Sequence, residues 1–525
     1  MAAKSNFVNL DAMIKRADFA HTQDEASSFE TFNSIPAREL ASGSPIVALL
    51  RKPDFQRETN HWTPEQVVSL LECYINGDLI PSVILWMSPS FLFVIDGGHR
   101  LSVIRAWMED DYGDGQISHK LFGHNISNEQ KKAAEKTRKL VKERIGTWTY
   151  YKSLLSDNDN DDITAKQRKI LATLTARGLQ VQWVKGDTDK AEASFFNINM
   201  KGTPLDGIEE LLLRNRKKPV PIAARAVIRA GKGHRYWSSF EESNAEKIES
   251  MSLKLHQLLF DPEIKKPVKT LDLPLSGSKG IRTAIQILIE FILISDTKQQ
   301  SVRKKIDKYE DDTDGSKTIE VLSNAIRLAS RITGNDRGSL GLHPAIYFYG
   351  PTGRHSSMMF LGAISLFSDK LANNNKDFFY KFTEVRATLE DILIEHKDLI
   401  ATIIHKHISH KRAKIFQDLL EESINALSEG RLISQETLIK FAKLDGKLIT
   451  GVIENNKSKI SDDQKSKLFI NVALKNAIKC PECSGFLDID KSVSYDHILR
   501  VRDGGNGSAE NIQLTHPFCN QSVKQ

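Results

Sequence analysis

Four residues near the end of the chain have the types and spacing of a metal site. Cys480 and Cys483 form a CxxC, and His516 and Cys519 form an HxxC. Two donor pairs of this kind suit tetrahedral Zn2+, because a two-residue spacing lets both side chains of a pair face one point. We read a structural Cys3His zinc site. Asp496, His497, a Gly504-Gly505 turn and Asn511 lie between the pairs, and Asn520 follows the last ligand directly. A CxxC alone is as well explained by two buried thiols, and Asp-His dipeptides arise by chance. Their order within one bracket of ligands is what makes them informative.

The elements that must position these residues are short. Val493 and Tyr495 give a strand pattern running into Asp496-His497, Ile512 and Leu514 give a second strand after the glycine turn, and a terminal helix carries Asn520. This strand, loop, strand, helix order resembles the HNH nuclease family in its zinc-stapled form, a ββα-metal module. The family's second pair usually reads CxxCN; here it is His516-Pro517-Phe518-Cys519-Asn520, so a histidine replaces one thiolate. The resemblance implies phosphodiester hydrolysis with His497 as general base on the attacking water. It implies that Asp496 and Asn520 hold one Mg2+ or Mn2+, which neutralises the phosphorane and the departing 3′ oxygen, and that Asn511 keeps His497 in position. A non-catalytic HNH fold kept for binding DNA is the alternative.

A second group of candidates lies early in the chain. Strand patterns at residues 80–86 and 91–95 run into Asp96-Gly97-Gly98-His99-Arg100, and a helix is expected from Leu101. Two glycines between strand and helix let the backbone approach a ligand, the helix start offers unpaired amides to an anion, and Arg100 adds a permanently charged fork. A tight connection, with His99 packing or capping, explains the same residues. With Phe55-Gln56-Arg57 and the stretch from Phe196 to Leu205, this pattern over residues 45–215 resembles the N-terminal domain of GmrSD-type restriction enzymes. That family has a ParB/sulfiredoxin-like (ParB/Srx-like) fold and a DGQQR or DGQHR signature, and this chain has Gly98 where the signature has glutamine. The resemblance implies an NTP, GTP or ATP, bound and hydrolysed near Gln56, Arg57, Asp96, Gly97, Gly98, His99 and Arg100, regulating an attached nuclease.

Length sets the wider frame. A chain of 525 residues exceeds what one core usually supports. The expected class is α+β multidomain: an arm over 1–45, a ParB/Srx-like α/β domain over 46–215, a largely α-helical middle over 216–455, and the HNH module over 465–525. A polar tether over 455–467 would let the nuclease move. The net charge is only +6, from 73 basic and 67 acidic residues, so affinity for DNA must come from local patches. The basic run from Lys131 to Arg144 is one candidate, but a solvated helix face explains it better. Three of the four cysteines are in the zinc site, which points to a reducing cytoplasm and not to a disulfide framework. No stretch has the length of a membrane span, and the N-terminus lacks an apolar signal core. The glycines of residues 350–353 are not followed by GK[ST], so no Walker loop is expected and the aromatics before them belong to the core.

The composite expectation is an anti-phage, restriction-type DNA endonuclease whose N-terminal domain senses a nucleotide or modified DNA. The SspE family and the GmrSD enzymes look similar in general plan. One HNH centre cuts one strand, so the products are nicks, or double cuts made by a homo-oligomer. A ParB-like DNA-binding regulator and a mobile-element, site-specific nuclease are the competing readings.

Overall fold

The computed structural model of the chain describes residues 7–17, 19, 31–53, 62–123, 126–156, 163–201, 207–232, 234–277, 281–296, 304–446 and 460–523. Two compact units result: Met1–Arg216 with Lys232–Tyr236, and Lys217–Gly231 with Trp237–Gln525.

The first unit is built on a mixed sheet of β1 (Arg16–Ala17), β2 (Ser34–Pro36), β3 (Leu50–Pro53), β4 (Val83–Met87), β5 (Leu92–Asp96) and β6 (Gly178–Val184), in the order β1-β3-β5-β4-β6-β2. β3 and β5 run parallel, β4 and β5 antiparallel, and β4 and β6 parallel. The expected N-terminal arm is instead part of this core: Val8, Leu10, Met13 and Ile35 are at most 1 % exposed. Its strands, of two and three residues, are too short for an alternating pattern to show in sequence. Asp11 draws Arg16 and Lys52 together at 2.8 and 2.6 Å, tying the first segment to β3.

Helix α1 (Pro64–Asn76) starts where its sequence signals predict, with Thr63 and Gln66 forming a capping box, and ends at Gly77 in the left-handed region. Helix α2 (Gly98–Glu109) begins three residues before the expected Leu101, because Gly97 supplies the positive φ at its N-cap. Helix α3 (Asn128–Arg144) carries the basic run, and its arginines are committed: Arg138 to Asp110 and Asp114, Arg144 to Glu65 and Glu72. That supports the solvated, ion-paired face over a nucleic-acid groove.

The second unit is mainly helical. We label α4 (Glu242–Phe260), α5 (Ile281–Ser295), α6 (Ser316–Ile332), α7 (Ser357–Ala372), α8 (Lys376–Glu395) and α9 (Arg412–Ser428). Tyr347, Phe348 and Tyr349 are fully buried, as expected of core aromatics. Residues 455–459, the first part of the expected tether, lie outside the described residues. Its end is helical: α10 (Asp462–Lys475) starts with a Ser461–Gln464 capping box. It docks through Arg354 bidentate on Asp463, at 3.0 and 2.7 Å, and through Val268 N–H donating to Ser466 Oγ at 3.0 Å. The closing hairpin, β7 (Ser494–His497) against β8 (Ile512–Thr515), belongs to this same compact unit and is not a module set apart. Among the described residues no helix is long and apolar enough to cross a membrane.

Candidate active site

The four sequence-predicted ligands converge. Cys480 Sγ, Cys483 Sγ, His516 and Cys519 Sγ are buried, with one ligand atom from each lying within 4.8 Å of all the others. A tetrahedron with bonds of about 2.3 Å has edges of about 3.8 Å, so only a small contraction closes it on Zn2+. The imidazole is already oriented for a ligand. His516 Nε2–H donates to Phe486 O at 3.0 Å, which leaves the Nδ1 lone pair facing Cys483 Sγ at 3.4 Å and Cys519 Sγ at 3.8 Å. Burial, and then the nearby Arg386 charge, keep the ring neutral. Hydrogen bonds with Cys483 and Cys519 draw the Cys480 thiol down, and those with Cys480 and Cys483 push the Cys519 thiol up. Three thiols sharing charge in this way are the electrostatic situation that a divalent cation resolves.

The body of the unit grips this cluster through residues that the motif did not reveal. On α8, Arg386 and Glu390 form a buried ion pair, Nε to Oε1 at 2.7 Å, 2 % and 0 % exposed. Glu390 Oε1 also accepts from Tyr347 OH at 3.0 Å, and Oε2 accepts from Phe486 N–H at 2.7 Å. Phe486 therefore links two bonds: its N–H donates to Glu390, and its carbonyl accepts from the cluster's histidine. Arg386 donates further to Leu340 O and Gly341 O, at 2.6 and 2.8 Å. Only glycine fits at 485, since a Cβ there would lie 2.6 to 2.9 Å from the Arg386 side chain. The loop of residues 334–341 completes the seat, with Phe518 N–H donating to Ser339 O at 3.0 Å and Val493 N–H to Asn335 Oδ1 at 2.8 Å. The signal was present in sequence: Phe382, Arg386, Leu389, Glu390 and Leu393 share one helical stripe, so a charged pair interrupts an apolar face.

The hairpin places the remaining candidates. Side chains alternate along β7, so Ser494 and Asp496 share one face, while Tyr495 and His497 share the other. Asn520, on the terminal turn Cys519–Val523, donates to Ser494 Oγ at 2.7 Å and so joins the Asp496 face. Asp496 is 9 % exposed and its Oδ2 accepts from Gln513 Nε2 at 3.0 Å, a partner the motif did not single out. Asn511 acts on backbone: its Oδ1 accepts from Leu499 N–H at 2.7 Å, and its Nδ2 donates to Leu499 O at 2.9 Å and Asn506 O at 2.7 Å. It thereby pins the turn leaving His497. A carboxylate and an amide supply the hard oxygen donors that Mg2+ or Mn2+ takes, so the donor types fit that ion.

In the first unit, Asp96, Gly97, Gly98, His99 and Arg100 come together where β5 passes into α2. Arg100 is not an open fork: its Nη2 donates to Asp96 Oδ2 at 2.6 Å and to Ser82 O at 3.1 Å. The His99 ring stacks on Trp62, centroids 5.3 Å apart. The Asp96 side chain is 37 % exposed. Gln56 and Arg57 lie outside the described residues. Gly97 has φ +95°, and a Cβ there would meet Val83 at 3.0 to 3.2 Å. Gly97→Ala is therefore expected to destabilise this unit by about 1–3 kcal/mol, read as a lower midpoint in its denaturant unfolding with no change in bound zinc.

No curated protein and no solved structure matches this chain. Residues 38–216, which span most of the sheet and the Asp96–Arg100 turn, match the family model described as GmrSD restriction endonuclease, N-terminal domain.

Proposed function

We propose that the chain is a restriction-type DNA endonuclease that hydrolyses phosphodiesters at the closing hairpin. The observation that carries this reading is the bond from Asn520 to Ser494, which shares a face of β7 with Asp496 while His497 is on the other, in a hairpin that pairs residues 494–497 with 512–515 beside the buried Cys3His cluster. When bound, a divalent cation at Asp496 and Asn520 would supply charge neutralisation for the phosphorane and the leaving oxygen. The chain supplies the rest. His497 takes the proton of the attacking water, Asn511 fixes the turn behind it, and Gln513 holds the Asp496 carboxylate. A phosphodiester laid across the end of β7 would meet the imidazole on one side and the carboxylate on the other, the opposed arrangement an in-line displacement needs. The match over residues 38–216 supports a restriction context. On this reading the first unit, ParB/Srx-like in fold, senses an NTP or a DNA modification at the turn after β5, and cutting proceeds by nicks, or by double cuts in a homo-oligomer.

Supercoiled plasmid incubated with the protein and Mg2+ tests it. Nicked circles are expected, with His497→Ala slower by about 10²–10⁴-fold and Asp496→Asn and Asn520→Ala inactive at equal protein concentration. Absence of nicking by the natural protein, or an unimpaired His497→Ala, would sink the reading and favour a DNA-binding regulator. Parallel reactions with GTP, ATP and modified DNA report on gating: rates unaffected by all three would remove the sensor role and leave the nuclease.

A further inference from the structure

We infer that a recess beside the terminal turn of the second unit binds one nucleotide. Arg331, Lys376, Phe379, Tyr380, Phe518 and Ser522 line a cavity of about 250 Å3. Its chemistry is two cations among three aromatic rings. The Arg331 guanidinium lies 4.8 Å from the Phe379 ring centre and 5.3 Å from that of Phe518. Its Nη1 donates to Gly338 O at 2.8 Å, while its buried Nε–H meets no acceptor. Among the described residues no carboxylate lies within 4 Å of Arg331 or Lys376, whereas Arg216 and Arg386 both have one.

Lys376 is the first residue of the 20-residue α8. The helix dipole is positive there and disfavours a lysine unless an anion is at hand. Guanidinium, ammonium and helix start thus add to one positive field with no acid in the lining. Tyr380, 43 % exposed, donates its hydroxyl to Ser522 O at 3.3 Å, which fixes the ring at the rim. A fixed exposed ring beside cations is the arrangement that stacks a base and holds its phosphate. The volume falls below the roughly 300–1,000 Å3 of pockets that enclose drug-sized ligands, so one nucleotide unit fits and a triphosphate does not. An acidic peptide would use the cations but make no use of the exposed Tyr380 ring.

Phe518 and Ser522 flank Cys519 and Asn520 in the chain, so the recess adjoins the hairpin proposed to cleave. The pocket chemistry stands without that cleavage. The nucleotide has two sources: a free mononucleotide, or one unit of a DNA strand.

The test uses the full chain carrying His497→Ala, so that no strand is cut, without added Mg2+. Anisotropy of fluorescein-labelled dT12 is read over a salt series, and unlabelled dTMP is added as competitor. Lys376→Ala and Tyr380→Ala are each expected to weaken dT12 binding about fivefold or more. Lys376→Ala should also lower the slope of log K against log salt by about 0.7. Both side chains are exposed, so melting temperatures should not move; Arg331→Lys, which keeps the charge and loses the planar stack, provides a third reading. Displacement of dT12 by dTMP identifies the free nucleotide as a ligand; weakened dT12 binding without displacement identifies the strand. The inference is overturned if dT12 and dTMP both fail to bind, or if all three variants bind as their parent does with the same salt slope. A protein that never nicks plasmid but shows these losses would keep the pocket and lose the nuclease.

Discussion

Cys480→Ala is expected to remove zinc and cleavage together, whereas His497→Ala removes cleavage alone. The division follows from what each side chain touches. The apolar cluster of the terminal segment consists of Cys480, Cys483, Leu487 and Cys519, with Val493 and Leu514 packed against it. A fully buried leucine contributes about 1.5–3 kcal/mol, so this cluster is far too small to hold the hairpin by itself. A structural zinc ion supplies on the order of 10–16 kcal/mol in peptide systems, and three of the cluster's members are its ligands. Losing one thiolate therefore loosens the turn of residues 480–486, and through Phe486 the His516 ring. His497 is not a member of that cluster. We expect about one zinc per chain for His497→Ala by elemental analysis, with an unchanged melting temperature. For Cys480→Ala we expect little bound zinc and rapid amide exchange over residues 478–523. Zinc retained by Cys480→Ala, or lost from His497→Ala, would show that the two groups do not divide their work in this way.

Because the hairpin shares a compact unit with the helices, the damage should spread. Phe486 N–H is an acceptor's partner on α8, and Phe518 N–H is bonded to the 334–341 loop. The melting of the helical body should fall along with the zinc content. An autonomous module on a tether would leave that transition in place.

What could be read from sequence was local and periodic. Zinc ligands in two spaced pairs, the Thr63 capping box and the Asp96–Gly97 turn all depend on neighbours within a few residues, and each appears where its spacing places it. The convergence of the four ligands was legible for the same reason. Three things were not. The first segment reads as an arm because two- and three-residue strands carry no period, and its role comes from β3, more than thirty residues away. The tether reading rested on polarity over residues 455–467, yet Asp463 and Ser466 are polar because they bond Arg354 and the Val268 amide. Arg100 looked like an open phosphate fork because its partner, Asp96, is one helical turn back and its other acceptor is on β4. In the last two cases a polar residue reads as solvated or ligand-binding when another element of the fold already holds it.

The Arg386–Glu390 pair, which the sequence motif did not reveal, yields the second large effect. Glu390→Gln should destabilise the second unit by about 3–5 kcal/mol, because it leaves the Arg386 charge buried without its counter-ion. Glutamine also offers one acceptor oxygen where the carboxylate serves Arg386, Tyr347 and Phe486 at 2.7, 3.0 and 2.7 Å. The Phe486 peptide then shifts, and with it the carbonyl that orients His516, so zinc affinity should fall about 10–100-fold, the usual cost of losing an outer hydrogen bond. Arg386→Met should destabilise comparably, yet keep most of the zinc affinity, since Arg386 bonds Leu340 O and Gly341 O and not the Phe486 peptide. The Arg386→Met, Glu390→Leu double variant should be less destabilised than the sum of its parts, because no charge is stranded, while still losing zinc affinity. Urea unfolding separates the stabilities, and competition with a chromophoric chelator reads the metal. Zinc affinity unchanged in Glu390→Gln, or lost equally in Arg386→Met, would mean that the carboxylate on α8 serves packing alone and does not position the histidine.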